Sequence, residues 1–412
     1  MLSPYRVLDL SNERGQLCGQ IFGDLGADVI LVEPPAGSSA RRIGPFAGNA
    51  PDRERSLWFW ATNRNKRSVT LDLETPGGAD ILRRLAADAH FLVESYDPGY
   101  LDSLGIGYQA LRQINPGLIV VSITPFGQTG PKAHWPATDL TTYAASVSLI
   151  LTGDSDRAPV RVAVPQAFLH ASADGAAGAL FAHFARVNDG EGQQVDVSAQ
   201  TSAMMACQSF VLSRAWNDVG LERSSGGLRL GPLEIKFVHA TKDGYVSVTF
   251  LFGTALGPFA RRLMEQLYDE GFVDEATRDK DWLNYTTLLL TGQEPVPELF
   301  RCNAAIAAWC AAHTKAELFD LAMQQHLLIV PVNTTEDVVK SPQLAARDFW
   351  TGVDQPDFGA TVTYPGPFAR FSQAPLQFRL PPPSIGQHNA EVYGQLGLDA
   401  NGQRALFAQG VI

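Results

Sequence analysis

Three side chains near the middle of the sequence have the chemistry that acid–base catalysis requires. His170 and Asp174 are four residues apart, so a helix would place both on one face. An imidazole and a carboxylate in that arrangement can move a proton to or from a substrate. Asp139 is a further polar candidate, although it also stands where it could cap a helix that begins near Leu140. A His–Asp pair on an alanine-rich helix equally fits a surface or packing role, so the spacing leaves both interpretations open.

Motifs for the common cofactors and metals are absent from the sequence. The first predicted βα turn contains Gly15 and Gly19, but it lacks the GxGxxG spacing that lets backbone approach a pyrophosphate, and no GxxxxGK[ST] loop occurs. The four cysteines are widely scattered without a CxxC pair, and no His/Cys/Asp cluster has metal-ligand spacing. We therefore predict reduced thiols, no metal and no covalently bound cofactor.

The composition is typical of an acidic globular protein. The chain has 412 residues, of which 45% are hydrophobic and 18% charged, and its formal net charge is −11. This balance lacks the basic face that displaces counterions from nucleic acid, although a local basic pocket for small anions remains compatible with it. The N-terminus lacks a signal peptide's apolar region, and the apolar residues 143–151 are too few to span a bilayer. We expect a cytoplasmic protein that binds neither nucleic acid nor a membrane.

The candidate side chains would be positioned by an α/β fold. Apolar periodicity predicts strands at residues 7–10, 28–33, 68–73, 91–94 and 118–123, and helices at 16–25, 77–89 and 168–184. Short loops between these segments imply parallel strands with right-handed crossovers. Farther along, Asp243-Gly244 between two apolar runs predicts a hairpin, glycine-rich residues 212–232 indicate a linker, and helices are expected over 255–325.

Short motifs recur along the chain in an order that is typical of one enzyme family. They are residues 7–10, 24–29, 32–35, 65–68, 71–73, 75–77, 126–131, 190–193, 196–198, 331–333, 341–347 and 385–388. With them the sequence resembles the family III (CaiB/BaiF, formyl-CoA-type) coenzyme A transferases. The resemblance implies a large Rossmann-like domain built from residues 1–212 and 326–412, and a smaller α+β domain over 225–325. It also implies an interlocked dimer, in which each subunit threads through the other.

Phe168 stands where the resemblance implies a catalytic aspartate. In such transferases that aspartate closes the run that corresponds here to residues 159–167, and it carries the acyl group covalently. Phenylalanine has no nucleophilic atom, so this chain cannot form such an intermediate at that position. The racemase branch of the family has a histidine before Asp139, and here that residue is Thr138. The chain thus resembles a family whose central catalytic group it lacks.

The resemblance also implies which residues would contact coenzyme A. The candidate contacts are Arg42, Lys66, Arg67, Leu71, Asp72 and Leu73. At three further positions where relatives commonly have a cation, this chain has Glu74, Asp97 and Ser103. The phosphates of coenzyme A need cations or aimed N–H groups, so these departures predict a weakened site. The three basic candidates could equally be exposed or structurally paired charges.

The leading hypothesis is a subunit of a heteromeric, benzylsuccinate-type CoA-transferase. Such an enzyme moves coenzyme A from a thioester such as succinyl-CoA to a carboxylic acid, and a paralogous partner subunit would supply the catalytic aspartate. One alternative is a recruited family member that performs racemase- or lyase-like acyl-CoA chemistry with His170, Asp174 or Asp139. Another is a non-enzymatic binding paralogue. In the enzymatic readings the coenzyme A thioester is a substrate.

Overall fold

The structure is a computed structural model that describes residues 1–217, 223–224, 226–230, 233–356 and 358–412. The chain so described divides into two compact units. Unit 1 comprises residues 1–149, 161–217 and 345–412, and unit 2 comprises 150–160 and 218–344. Both chain ends therefore belong to unit 1. The resemblance implies a large domain from residues 1–212 and 326–412 and a small domain over 225–325. These domain boundaries stay a prediction.

The secondary structure alternates between strands and helices over the first half of the chain. The strands are β1 (Arg6–Asp9), β2 (Asp28–Glu33), β3 (Lys66–Thr70), β4 (Phe91–Glu94), β5 (Ile119–Thr124), β6 (Gln194–Ser198), β7 (Gly227–Leu230), β8 (Leu233–Lys236), β9 (Val238–Thr241), β10 (Gly244–Val248), β11 (Ile329–Val332), β12 (Trp350–Gln355) and β13 (Ala360–Pro365). The helices are α1 (Gln16–Asp24), α2 (Leu57–Asn63), α3 (Pro76–Ala87), α4 (Tyr100–Ser103), α5 (Tyr108–Ile114), α6 (Asp139–Ala145), α7 (Ala167–Asp189), α8 (Ala199–Met205), α9 (Gln208–Asn217), α10 (Gly257–Asp269), α11 (Glu275–Arg278), α12 (Tyr285–Leu290), α13 (Val296–Ala311), α14 (Lys315–Gln325), α15 (Thr335–Val339), α16 (Pro342–Ala346), α17 (Asn389–Gln395) and α18 (Ala400–Ala408).

A parallel sheet forms the centre of unit 1. Within the described residues it has six strands in the order β3-β2-β1-β4-β5-β6. The predicted α/β class with parallel strands is therefore confirmed. The predicted bounds of β3 were wrong at both ends, because this strand begins at Lys66 and ends at Thr70 instead of covering residues 68–73. The strand ends early because the backbone N–H of Asp72 donates to Val411 O (2.8 Å), which draws the chain away from β2.

Both faces of this sheet are buried, as the continuous apolar strands indicate. Successive side chains point to opposite faces. Leu8 and Leu92 belong to a core that includes residues of α3 and α17, whereas Val7 and Val93 belong to a core with residues of α1 and α7. The sheet is thereby held between two helical layers, and its strand ends remain available for loops.

Helix α7 packs against the sheet through small residues. It runs from Ala167 to Asp189, longer than the predicted range of 168–184. A Cβ atom on Gly178 would lie 2.8 Å from Val195 Cγ1, and one on Gly175 would lie 3.2 Å from Ile123 Cδ1. The glycines therefore allow a close approach of the helix axis to β5 and β6. This contact fixes the helix whose first turn contains Phe168.

Unit 2 contains a small antiparallel sheet and a helical core. The predicted hairpin is confirmed, because β9 and β10 pair in antiparallel fashion around Asp243-Gly244, and β11 pairs with the other edge of β10. Trp282, Tyr285 and Trp309 are fully buried among the helices over 257–325. The predicted linker was wrong at its ends, since α9 reaches Asn217 and β7 begins at Gly227; residues 218–222, 225 and 231–232 lie outside the described residues.

Two features are absent from the described ranges. No helix among them is long and apolar enough to cross a membrane. No group of three or more His, Cys, Asp or Glu side chains among them is arranged to hold a metal ion.

Candidate functional site

A cavity of about 550 Å³ lies in unit 1, beside loops that follow the carboxyl ends of strands. Glu13 and Arg14 follow β1, residues 43–45 follow β2, and residues 137–139 follow β5. The first turn of α7 completes the wall. Ligand sites in open α/β sheets typically occupy this edge, where the strand order reverses, as it does here between β1 and β4. The cavity is therefore the candidate functional site.

Phe168 forms part of the cavity wall. It is the second residue of α7, and only 7% of it is exposed. The guanidinium carbon of Arg14 lies 5.4 Å from the centroid of its ring, which is cation–π geometry. Arg14 also donates to Ala137 O (3.2 Å) and lies 3.6 Å from Asp97. An aromatic ring covered by a guanidinium thus occupies the position where the resemblance implies a nucleophilic carboxylate.

Asp139 also lines the cavity, and its carboxylate contacts the start of α7. Its Oδ1 accepts a hydrogen bond from the backbone N–H of Ala167 (2.8 Å). Helix starts leave such N–H groups unpaired, and Gln166, the N-cap residue, makes no side-chain capping bond. Asp139 therefore supplies the cap from the first residue of α6. The cap for its own helix, α6, comes from Thr138, whose hydroxyl accepts from Thr141 N.

His170 and Asp174 lie outside this cavity. Both side chains are exposed on α7, one turn apart, and neither belongs to the cavity lining. The prediction that a helix places them on one face fits their positions on α7. The helix does not direct them towards Phe168, so their arrangement is that of a solvent-facing pair.

Lys66 is a buried structural cation. Its ammonium is fully buried and donates to Asp9 Oδ2 (2.7 Å), Gln16 O (2.7 Å) and Asn63 Oδ1 (2.8 Å). Burial lowers the pKa of Lys66, and Asp9 acts in the opposite direction. A phosphate cannot reach this ammonium while these bonds are intact. Lys66 therefore has a structural role in this chain instead of the predicted contact with coenzyme A.

The neighbouring cations have similar roles. Arg67 binds Asp28 (2.7 Å) and Glu391 (2.8 Å), and Arg64 binds Asp24 (2.8 Å). Each basic residue of this motif thereby holds an acidic residue that lies elsewhere in unit 1. The motif joins α1, β2 and the C-terminal segment rather than lining the cavity.

The remaining predicted contacts with coenzyme A are dispersed. Arg42 is exposed and lines a separate pocket of about 470 Å³ with Phe46 and Arg53. Leu71 and Leu73 are buried in the core beside α3. The carboxylate of Asp72 accepts a hydrogen bond from Glu74 N (3.0 Å), as it would in a tight turn. Of all the predicted site residues, the structure brings Phe168 and Asp139 together in the cavity and leaves the others outside it.

Comparison with known families identifies the chain. The model of CoA-transferase family III matches residues 2–389. The chain belongs to this family. Among curated relatives, the succinyl-CoA:(R)-benzylsuccinate CoA-transferase subunit BbsE of Thauera aromatica is 34% identical over 97% of this chain and 95% of its own length. The succinyl-CoA–D-citramalate CoA-transferase of Chloroflexus aurantiacus is 29% identical over 100% of this chain and 98% of its own length.

A solved structure supports the same assignment. The crystal structure of a CaiB/BaiF family protein from Brucella suis matches with a TM-score of 0.80 and 27% identity, covering 95% of this chain and 98% of that one. The predicted resemblance is therefore confirmed, and the mixed α/β fold is that of a known family member. Both curated relatives are named as CoA-transferases with succinyl-CoA as a substrate.

Local bonds involve the three residues that stand where the resemblance implies a cation. Glu74 accepts a hydrogen bond from Tyr100 Oη (3.1 Å), and Ser103 donates to Tyr100 O (2.7 Å). The side chain of Asp97 is 84% exposed and pairs with Arg14 at 3.6 Å. Ser103 is thus part of α4, Asp97 lies in the loop between β4 and α4, and Glu74 contacts α4.

Sequence reasoning missed several residues of the cavity. Arg14 could have been found, because it follows the carboxyl end of the first strand of a parallel sheet. Trp58 could not have been found in this way, because it lies on α2 and only the folded arrangement of the helices places it at the cavity. Its indole N–H is buried and has no hydrogen-bond partner in the described chain. Arg161 also lines the cavity, from the run that precedes Phe168.

Glu94 is a buried acid at the carboxyl end of β4. It accepts a hydrogen bond from Tyr96 N (2.8 Å). Burial raises the pKa of Glu94 to about 7, and the Ser122 and Tyr96 hydrogen bonds oppose this shift. The neutral acid is therefore stabilised near physiological pH, which gives the family member a titrating group in its core.

Proposed function

We propose that this chain is a non-catalytic subunit of a heteromeric CoA-transferase. Coenzyme A would move from succinyl-CoA to a carboxylic acid, and a paralogous partner subunit would supply the catalytic aspartate. The observation that carries the proposal is Phe168, a buried ring beneath Arg14 in the cavity where the family's aspartate is expected. The BbsE relative is itself named as a subunit of a succinyl-CoA-dependent enzyme.

The acids that line the cavity are already engaged in hydrogen bonds within the chain, which disfavours them as replacement nucleophiles. Covalent transfer requires a carboxylate that can attack the thioester carbonyl. Asp139 is bonded to the start of α7, and Glu13 accepts a hydrogen bond from the hydroxyl of Ser39. The alternative with His170 and Asp174 as acid and base has less support, because both are exposed outside the cavity.

Exposed apolar side chains in unit 1 support an obligate association. Phe181 and Phe184 on α7 are each 76% exposed, and Trp216 on α9 is 86% exposed. Groups of large apolar side chains at a surface typically mark protein interfaces. We propose that these helices contact the partner in an interlocked dimer. The strand order of the sheet supports a Rossmann-like layout for the large domain.

An exchange assay on the purified chain tests the catalytic part of the proposal. The chain alone should not exchange labelled succinate into succinyl-CoA, because no carboxylate can form the acyl intermediate. It should also yield no hydroxylamine-sensitive adduct after incubation with succinyl-CoA. A folded sample, verified by circular dichroism and a cooperative thermal transition, is the required control. Turnover of the homogeneous chain would contradict the proposal.

A further inference from the structure

Another cavity, of about 440 Å³, lies at the opposite edge of the central sheet. Tyr5 precedes β1, His90 precedes β4 and Gly117 precedes β5, so the amino ends of the strands meet here. His183 and Arg186, from the last turns of α7, complete the lining. Phe168 and Arg186 are about 27 Å apart along the helix axis, from the helical rise per residue. This cavity is therefore separate from the candidate site.

Within the described residues, the guanidinium of Arg186 has N–H donors without an acceptor and no acidic partner. A guanidinium has five N–H donors. In the described chain three bonds use them: Nη1 donates to His90 O (2.8 Å) and Gly117 O (2.6 Å), and Nη2 donates to His183 Nδ1 (2.8 Å). The Nε–H and one Nη2–H remain. No carboxylate of the described residues lies within ion-pair distance, and burial lowers the pKa of Arg186. A half-buried positive charge is thus left without a counter-charge.

The two imidazoles contribute further donors. The backbone N–H of Arg6 donates to His90 Nδ1 (3.1 Å), and Arg186 donates to His183 Nδ1. Because both Nδ1 atoms accept, each neutral ring has its proton on Nε2. Neither Nε2–H, nor the hydroxyl of Tyr5, has a hydrogen-bond partner in the part of the chain described. The cavity therefore combines a cation with three unused neutral donors.

Acceptors are scarce in the same lining. The amide of Asn115 is already bonded, since its Nδ2 donates to Ala86 O and Ala89 O and its Oδ1 accepts from Gly117 N. Asp88 contributes a carboxylate, but it is exposed at the rim. Oxyanions are the ligands whose geometry and charge match such a set of donors.

We propose that this cavity binds a small free oxyanion of the phosphate or carboxylate class, held by Arg186, His90, His183 and Tyr5. The site is independent of the transferase proposal, because it lies at the other end of α7 from Phe168. Bound at this place, the ion ties the C-terminal turns of α7 to the amino ends of β1, β4 and β5.

The site carries a pH dependence. Burial lowers the pKa of both His90 and His183, and the positive charge of Arg186 lowers both pKa values further. His183 and Arg6 also lower the pKa of His90, whereas Asp88 raises it. A bound anion favours the protonated rings and raises both pKa values. Binding is therefore coupled to proton uptake, so affinity rises as the pH falls.

Isothermal titration of the full chain with sodium phosphate and with sodium acetate, at pH 6 and pH 8, tests the proposal. His183→Asn and His90→Asn replace each ring while leaving an amide oxygen that can accept the bond made to Nδ1, and Tyr5→Phe removes only a hydroxyl. We expect each change to weaken binding about tenfold, as loss of a hydrogen bond to a charged group does. His134→Asn, an exposed histidine outside the cavity, is the matched control.

The outcomes are distinct. Binding of phosphate alone supports a tetrahedral oxyanion, binding of acetate alone supports a carboxylate, and either must be tighter at pH 6 than at pH 8. Thermal melts verify that each variant is folded, and Tyr5→Phe provides the test should an asparagine variant unfold. The absence of binding by both ions at pH 6, or unchanged affinity in the folded variants, would overturn the proposal.

Discussion

Phe168 and Arg14 determine what chemistry the candidate cavity can perform. The ring offers no lone pair to a thioester, and the guanidinium above it is already bonded to Ala137 O. An aspartate at position 168 would gain Arg14 as a neighbouring cation. It would not assemble the rest of a coenzyme A site, because Lys66 is buried and Arg42 lies in a different pocket.

We therefore expect Phe168→Asp to leave the isolated chain inactive. Phe168→Asn is the matched control, because asparagine has nearly the same shape as aspartate but lacks the nucleophilic carboxylate. Labelled-succinate exchange should be at background for both. Burial of the new carboxylate should lower the free energy of unfolding by about 1–3 kcal/mol relative to the asparagine variant, measured in urea. Robust exchange by Phe168→Asp alone would show that the cavity is a complete active site.

Glu94 gives stability a pH dependence. Its native pKa of about 7 lies above the ordinary value of 4.5, so the native state holds the proton more tightly than the unfolded chain. The stabilising contribution is complete below pH 4.5 and is lost as the pH rises through 7. We expect the loss to be on the order of 3 kcal/mol. In urea unfolding between pH 5 and 8, the free energy of unfolding of Glu94→Gln should not show this decline. If that free energy falls equally with pH in the wild type and in Glu94→Gln, the raised pKa of Glu94 is contradicted.

At the scale of elements, the sequence predicts local structure better than the partners of charged side chains. Apolar periodicity located most strands of the central sheet, because that pattern is set within a few residues. The burial of Lys66 depends on Asp9, which lies 57 residues away, and on its bond to Asn63. Nothing local distinguishes such a lysine from one that binds a phosphate. The role of Asp139 as the cap of α7 was equally invisible, since the helix is distant in sequence.

Helix α1 should be intolerant of a side chain at Gly19. A Cβ atom there would lie 2.1 Å from Asp9 Oδ2, so alanine must displace the carboxylate from Lys66. Breaking a buried ion pair in this way should cost roughly 3–5 kcal/mol in unfolding free energy. Gly394→Ala on α17 is the control, because no atom of the described residues lies within 4 Å of its Cβ position. A Gly19→Ala protein as stable as the control would contradict the buried-pair account.

At the scale of the molecule, family membership follows from motifs along the whole chain, and the shared enzyme remains our proposal. Family III membership was apparent from motifs spread over the whole chain, because each motif keeps its order and residue types. The exposed apolar side chains of α7 and α9 were not apparent, because exposure depends on how the helices pack in the fold. These exposed side chains are consistent with the partner subunit that we propose from the resemblance.

The most direct test of the central claim is co-expression of this chain with a paralogous subunit that has aspartate at the position of Phe168. The purified complex should transfer coenzyme A from succinyl-CoA to a carboxylic acid. Activity should fall to background when the partner's aspartate is replaced by alanine, and it should stay within a few-fold of wild type with Phe168→Ala, His170→Ala or Asp174→Ala in this chain. Activity that survives loss of the partner's aspartate, or that collapses with His170→Ala, would contradict the account.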